Sequence, residues 1–208
     1  MIKALFLIFL PAPTWEQIAG VRRNWITILS GYFLPFLIIV SAVEGYGLAF
    51  WGKSRGKMPQ YVRFPLSQVV VFEIGRVLIT LAVLFVLAWV IRSLGDTFHG
   101  RHTFRQSFTV AAFGLGPLLL MRVFVALPPV SPWFAWAVGI FLSAATLYHG
   151  IPRVMEPDPP HAFGLYLMSV LLLIIISGLP CFVTAWYLQG KFPGLENAVA
   201  NLAAHLPF

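Results

Sequence analysis

Long apolar stretches separated by short polar ones dominate the chain. Five of them, at about 26–50, 67–91, 107–127, 133–151 and 162–188, are near or above the roughly 20 apolar residues that cross a bilayer as a helix. None shows a strong one-sided helical pattern, as expected where lipid and neighbouring helices are equally apolar. The pattern predicts an all-α integral membrane protein, a five-transmembrane-helix bundle over residues 25–188. An N-terminal interfacial segment, 1–24, and an amphipathic C-terminal tail, 189–208, flank it. Trp25 and Trp51 bracket the first span as interfacial aromatics do. Pro35 should bend the first span, Gly114, Gly116 and Pro117 the third, and Pro180 the fifth. Bilayer helices tolerate such breaks when neighbours satisfy the freed backbone groups.

The apolar run Ala4–Leu10 is too short to span. With Lys3 ahead of it a signal peptide is the rival reading, but Pro11-Ala12-Pro13 makes a poor cleavage site. An uncleaved interfacial segment leading to Pro11 and Trp15 is expected instead. Thr14 with Gln17 three residues on forms a candidate capping box, which predicts a short helix over 15–23.

Composition narrows the class further. Of 208 residues 59% are hydrophobic and 10% charged, against about 25% charged in soluble domains. Five spans and short loops leave no room for a folded soluble domain. The net charge of +7 points to anionic lipid headgroups rather than nucleic acid, since no basic run exceeds Arg22-Arg23. The single cysteine, Cys181, lies in an apolar stretch and reads as a small buried hydrophobe.

Five spans put the two ends of the bundle on opposite sides. On the N-terminal side stand Lys3, Arg22, Arg23, Arg92, Arg101, Arg105 and Arg153, on the other Lys53, Arg55, Lys57, Arg63 and Lys191. The bias favours a cytoplasmic N-terminus.

Four ionisable residues fall within the spans: Glu44, Glu73, Arg76 and Arg122. Because alternate helices run in opposite directions, all four lie within roughly 10–15 Å of the same membrane face. An unpaired charge at mid-bilayer costs at least about 3 kcal/mol, so pairing is expected. Glu73 and Arg76, three apart on one helix, can pair directly, with Glu44 and Arg122 completing the set. One reading is an ion-pair clasp holding three helices in register. The other is a polar site for an ion, proton or lipid headgroup. The clasp is favoured because the spans hold few other deep polar residues, and both arginines also have the option of snorkelling to the interface.

No constellation for catalysis stands out. His99 and His102 lack further metal ligands nearby and read as solvated loop histidines. His149, near the end of the fourth span, reads as interfacial. Glu156 and Asp158 sit among prolines in a short turn, where solvation explains them better than acid/base work. No phosphate-binding glycine loop, nucleophile elbow or zinc-protease motif occurs, and no cofactor is expected. Gly139, Ser143, Ala144 and Ala145 give the fourth span a face for tight packing, within the bundle or against another membrane subunit.

The order of several segments resembles the Yip domain family, named for eukaryotic proteins that interact with Ypt/Rab GTPases, and in particular its bacterial branch. Pro13 to Ala19 precede a first span containing Leu34-Pro35. Gly95 to Gly100 and Thr103 to Ser107 lead into Ala112-Phe113-Gly114-Leu115-Gly116-Pro117, similar to the family's aromatic-then-proline pattern. Leu147 to Pro152 resembles its end of the fourth span, and Pro157 to Ala162 lead into the fifth. The likeness covers most of residues 10–190. It implies five membrane helices and a cytoplasmic N-terminus. The eukaryotic Asp-Leu-Tyr-Gly-Pro pattern is absent near Ser30 to Pro35, and there is no long N-terminal region, so Rab binding is not carried over. The expectation is a non-catalytic protein of a bacterial inner membrane, in contact with lipids. It would be a scaffold or accessory subunit beside another membrane protein or a second copy of itself. The alternative is a small transporter or lipid-handling protein using the four charges.

Overall fold

The computed structural model describes residues 2–21, 23–55, 60–97 and 103–205, with the side chains of 2–5, 55, 60 and 159 left aside. Five helices are long and apolar enough to cross a membrane: Trp25–Phe50, Leu66–Thr97, Phe104–Val125, Pro132–Met155 and Pro159–Leu188. They are called the first to fifth spans. The all-α bundle expected from the sequence is present, and the second span runs six residues beyond its expected end. The third span is the axis. In its most apolar stretch 67% of residues are buried, against 22% in the second and fifth. It packs against the first, second and fourth spans, and the fifth against the second and fourth.

Breaks in the first and third spans go with their prolines, whereas Pro180 lies inside a fifth span whose helix runs on through it. Pro35 cannot donate a backbone hydrogen bond. The turn before it, Leu29–Phe33, widens into a π-helix, and Leu34 N–H donates to Leu29 O, five residues back. In the third span regular helix stops at Gly114 and restarts at Gly116, with Pro117 in the first turn of the new segment, where a missing donor costs nothing. The third span opens on a capping box of Thr103 and Gln106, and Gln106 Nε2 also donates to Val154 O, at 3.0 Å, near the end of the fourth span.

One expectation for the N-terminal segment is corrected. The helix there is Pro11–Gly20, and Thr14 lies inside it, its hydroxyl donating back to Leu10 O at 2.7 Å. Pro11 supplies the helix start that Thr14 was expected to supply. Trp15 is fully buried, as is Leu7 in the preceding helix Ile2–Phe9. Ile2–Phe9 packs beside Gly116–Val125 and the fourth span, and Pro11–Gly20 runs along the fourth span. Gly150 makes this possible, since a Cβ there would overlap the Trp15 ring.

On the opposite face, Lys53–Arg55 and Gln60–Val62 pair as the two antiparallel strands of a small hairpin. Gly52 enters it at φ 75°, with Val62 backbone where a side chain would sit, so glycine is required twice over. The tail forms a helix, Pro193–Ala204, that folds against the second span. Val199 joins a second apolar cluster there with Leu48, Phe72 and Tyr187.

Candidate functional site

Near this opposite face, the structure brings Glu44, Glu73, Arg76 and Arg122 together from three spans. Glu44 is the hub. It is fully buried, and each of its oxygens serves a different arginine. Arg76 Nη1 bonds to Oε1, while Arg122 donates to Oε2 from Nη2 at 3.0 Å and from Nε at 3.2 Å. Both Arg122 nitrogens converge on the one oxygen as charge-assisted hydrogen bonds, which leaves Oε1 to Arg76.

Glu73 is the weaker partner. Its Oε2 lies 3.5 Å from Arg122 Nη2, its Oε1 3.9 Å from Arg76 Nη1, and Oε1 is buried with no hydrogen-bond partner. The expected direct Glu73–Arg76 pair along one helix is present but long, and the closer pairs run across helices. Arg76 reaches across to the first span, where Glu44 sits closer to its guanidinium than Glu73 does. Neither arginine snorkels away; their side chains are 12–13% exposed.

Two contributors carried no clear signal in the sequence. Thr80, one turn after Arg76, accepts from Arg122 Nη1 at 3.2 Å and donates to Arg76 O at 2.7 Å. Lys53, in the hairpin, is only 4% exposed and donates to the Leu127 and Val130 carbonyls, both at 2.7 Å. It thereby ties the hairpin to the turn after the third span. Burial pushes the Lys53 ammonium down to about 8, with the Glu44 carboxylate opposing that and Arg76 adding to it. Thr80 had a weak signal, its i+4 spacing from Arg76; Lys53 had none.

The arginines also border a cavity of about 90 Å³ between the second, third, fourth and fifth spans. Its far wall carries Trp136, Ser177, Pro180 and Thr184, with Trp136 Nε1 donating to Ser177 Oγ at 3.1 Å. Pro35, in the first span, follows the π-turn away from this site, whereas Pro180 lines it.

The other candidates lie apart from it. His99 and His102 fall outside the described residues. Among the described residues no group of three or more His, Cys, Asp and Glu is placed to hold a metal ion. Glu156 and Asp158 are exposed; Glu156 closes the fourth span in the left-handed region at φ 44°, and Asp158 precedes the fifth. Gly139 and Ser143 are buried, with Gly139 against Leu118 and Met121 of the third span, whereas Ala145 faces outward. Two of the four small residues therefore serve packing inside the bundle.

A family model described as the Yip1 domain matches residues 5–179 of the chain. No curated protein and no solved structure matches it.

Proposed function

We propose a role for this chain, which belongs to the Yip1 domain family, as a non-catalytic scaffold or accessory subunit. It is a multi-pass membrane protein; the proposed part is that it packs against another membrane protein or a second copy of itself. The observation that supports this reading is the mutual consumption of the intramembrane charges. Glu44 spends both oxygens on arginines from two other spans, a use suited to fixing helices in register rather than to cycling an ion. A partner face is available in the outward apolar side chains, among them Phe141 at 74% and Leu179 at 72% exposure. A photo-crosslinking residue placed at Phe141 or Leu179 in native membranes should give a discrete protein adduct of constant mass. Adducts to lipid alone at both sites would count against the reading.

The membrane is proposed to be a bacterial inner membrane, with the face carrying Arg23, Arg105 and Arg153 in the cytoplasm, on the strength of the basic-residue bias. With Cys181 replaced by serine, a cysteine at exposed Ser54 should react with an impermeant maleimide from the periplasmic side. Protection there would reverse the orientation.

A second reading, a small transporter or lipid-handling protein, draws support from the cavity beside Arg76 and Arg122. It requires Glu73→Gln to abolish transport or ligand binding in a protein of undiminished stability. The clasp requires the same substitution to lower stability.

A further inference from the structure

A second cavity, at the N-terminal face and remote from the four charges, has the chemistry of an anion site. It measures about 350 Å³ and lies between the helix Pro11–Gly20, the first span and the third span. By volume it has room for about a dozen water molecules. Arg23, Gln17 and Thr27 stand exposed at its mouth, Tyr32 and Thr109 line its interior, and no carboxylate lines it. Glu16, the acid nearest Arg23 in sequence, is turned to Arg153 at 3.6 Å, and among the described residues no acid pairs with Arg23.

Two further observations point to a ligand. The Tyr32 hydroxyl is buried without a hydrogen-bond partner, which is unfavourable unless something satisfies it. Tyr32 also lies in the π-helical turn Leu29–Phe33, a distortion frequent at functional sites, and it is held by stacking on Phe113 with ring centroids 4.3 Å apart. Space is open beside it, since a Cβ at Gly31 would meet nothing within 4 Å.

We propose that this cavity binds the phosphate of an anionic ligand. Arg23 supplies the charge, and Tyr32 and Gln17 supply neutral donors. Ile18, Val21 and Ile28 offer an apolar wall to the rest of the ligand. The site lies where the first span begins, so an anionic phospholipid is one source of the phosphate and free phosphate the other.

The test is a thermal-shift titration of the detergent-purified chain with phosphatidylglycerol, phosphatidylcholine and inorganic phosphate. Phosphatidylglycerol should give a saturable rise in melting temperature that phosphatidylcholine does not give. Arg23→Gln should weaken the apparent affinity about tenfold, and Tyr32→Phe about fivefold, the scale of one charged and one neutral hydrogen bond. Tyr32→Phe should leave the unliganded melting temperature unchanged or raised, because it removes a buried hydroxyl that no protein group satisfies. An equal response to inorganic phosphate, with the same losses in both variants, supports the site and names free phosphate as its ligand. The proposal is overturned if phosphatidylcholine matches phosphatidylglycerol, if neither phosphate source shifts the melting, or if both variants keep full affinity.

Discussion

The two ends of this bundle are held by different physics. At the end nearer the hairpin, three spans meet through a carboxylate shared by two guanidinium groups, backed by Thr80 and, one layer out, by Lys53. At the N-terminal end the spans meet through aromatic rings: Trp25 packs edge-on against Phe85, Phe104 and Phe108, and Trp15 against Phe113. The ion pair described there, Glu16–Arg153, is exposed on the glutamate side and worth at most about 1 kcal/mol. In lipid, apolar surfaces gain nothing by leaving the solvent, so helices associate through close packing and polar contacts. The aromatic end uses the first and degrades gradually when trimmed. The charged end uses the second and fails sharply, because removing one partner strands the others.

The sharpest way to break the comparison is Glu44→Gln, which keeps the shape and strands two buried guanidinium groups. A loss of about 3–5 kcal/mol is expected, read from denaturation in mixed micelles; a loss below about 1 kcal/mol would remove Glu44 as the hub. At the other end, Gly150→Ala pushes a methyl into the Trp15 ring. Overpacking of this kind costs about 1–3 kcal/mol, and Trp15→Phe in the same chain should recover part of it. If the two substitutions prove additive, the indole is not what Gly150 accommodates.

Glu73→Gln sharpens the contrast inside the charged end. With its longer contacts, Glu73 should cost about 1–2 kcal/mol, well short of Glu44. Equal costs would mean that the four groups act as one network without a hub.

The smallest effect concerns Lys53. Its folded-state value, near 8, lies below the ordinary lysine value of about 10.4. Between the two the unfolded chain binds more protons, so stability rises with pH across that window and is flat above it. These two values alone give a rise of about 2 kcal/mol between pH 7.5 and 10, which solvent screening at the edge of the bundle reduces to about 1 kcal/mol. The neutral amine still has two N–H groups for the Leu127 and Val130 carbonyls. In Lys53→Met that part of the pH dependence should vanish; an identical profile would assign it elsewhere.

The sequence by itself determined the class of structure, because lipid imposes a length and an apolarity that few other solvents demand, and both are local properties of a segment. Five apolar helices followed, and an expected common depth for Glu44, Glu73, Arg76 and Arg122 needed only the rise per residue and the alternation of direction. Partners were another matter. That Arg76 reaches past Glu73, three residues away, to Glu44, 32 residues away, depends on how the first and second spans are rotated and spaced. The burial of Trp15 depended on a glycine 135 positions further on, and that of Lys53 on two carbonyls in the turn after the third span. Helices that are apolar on every side carry no mark of which side faces a neighbour, so rotation and contact were left to the packing of the whole bundle.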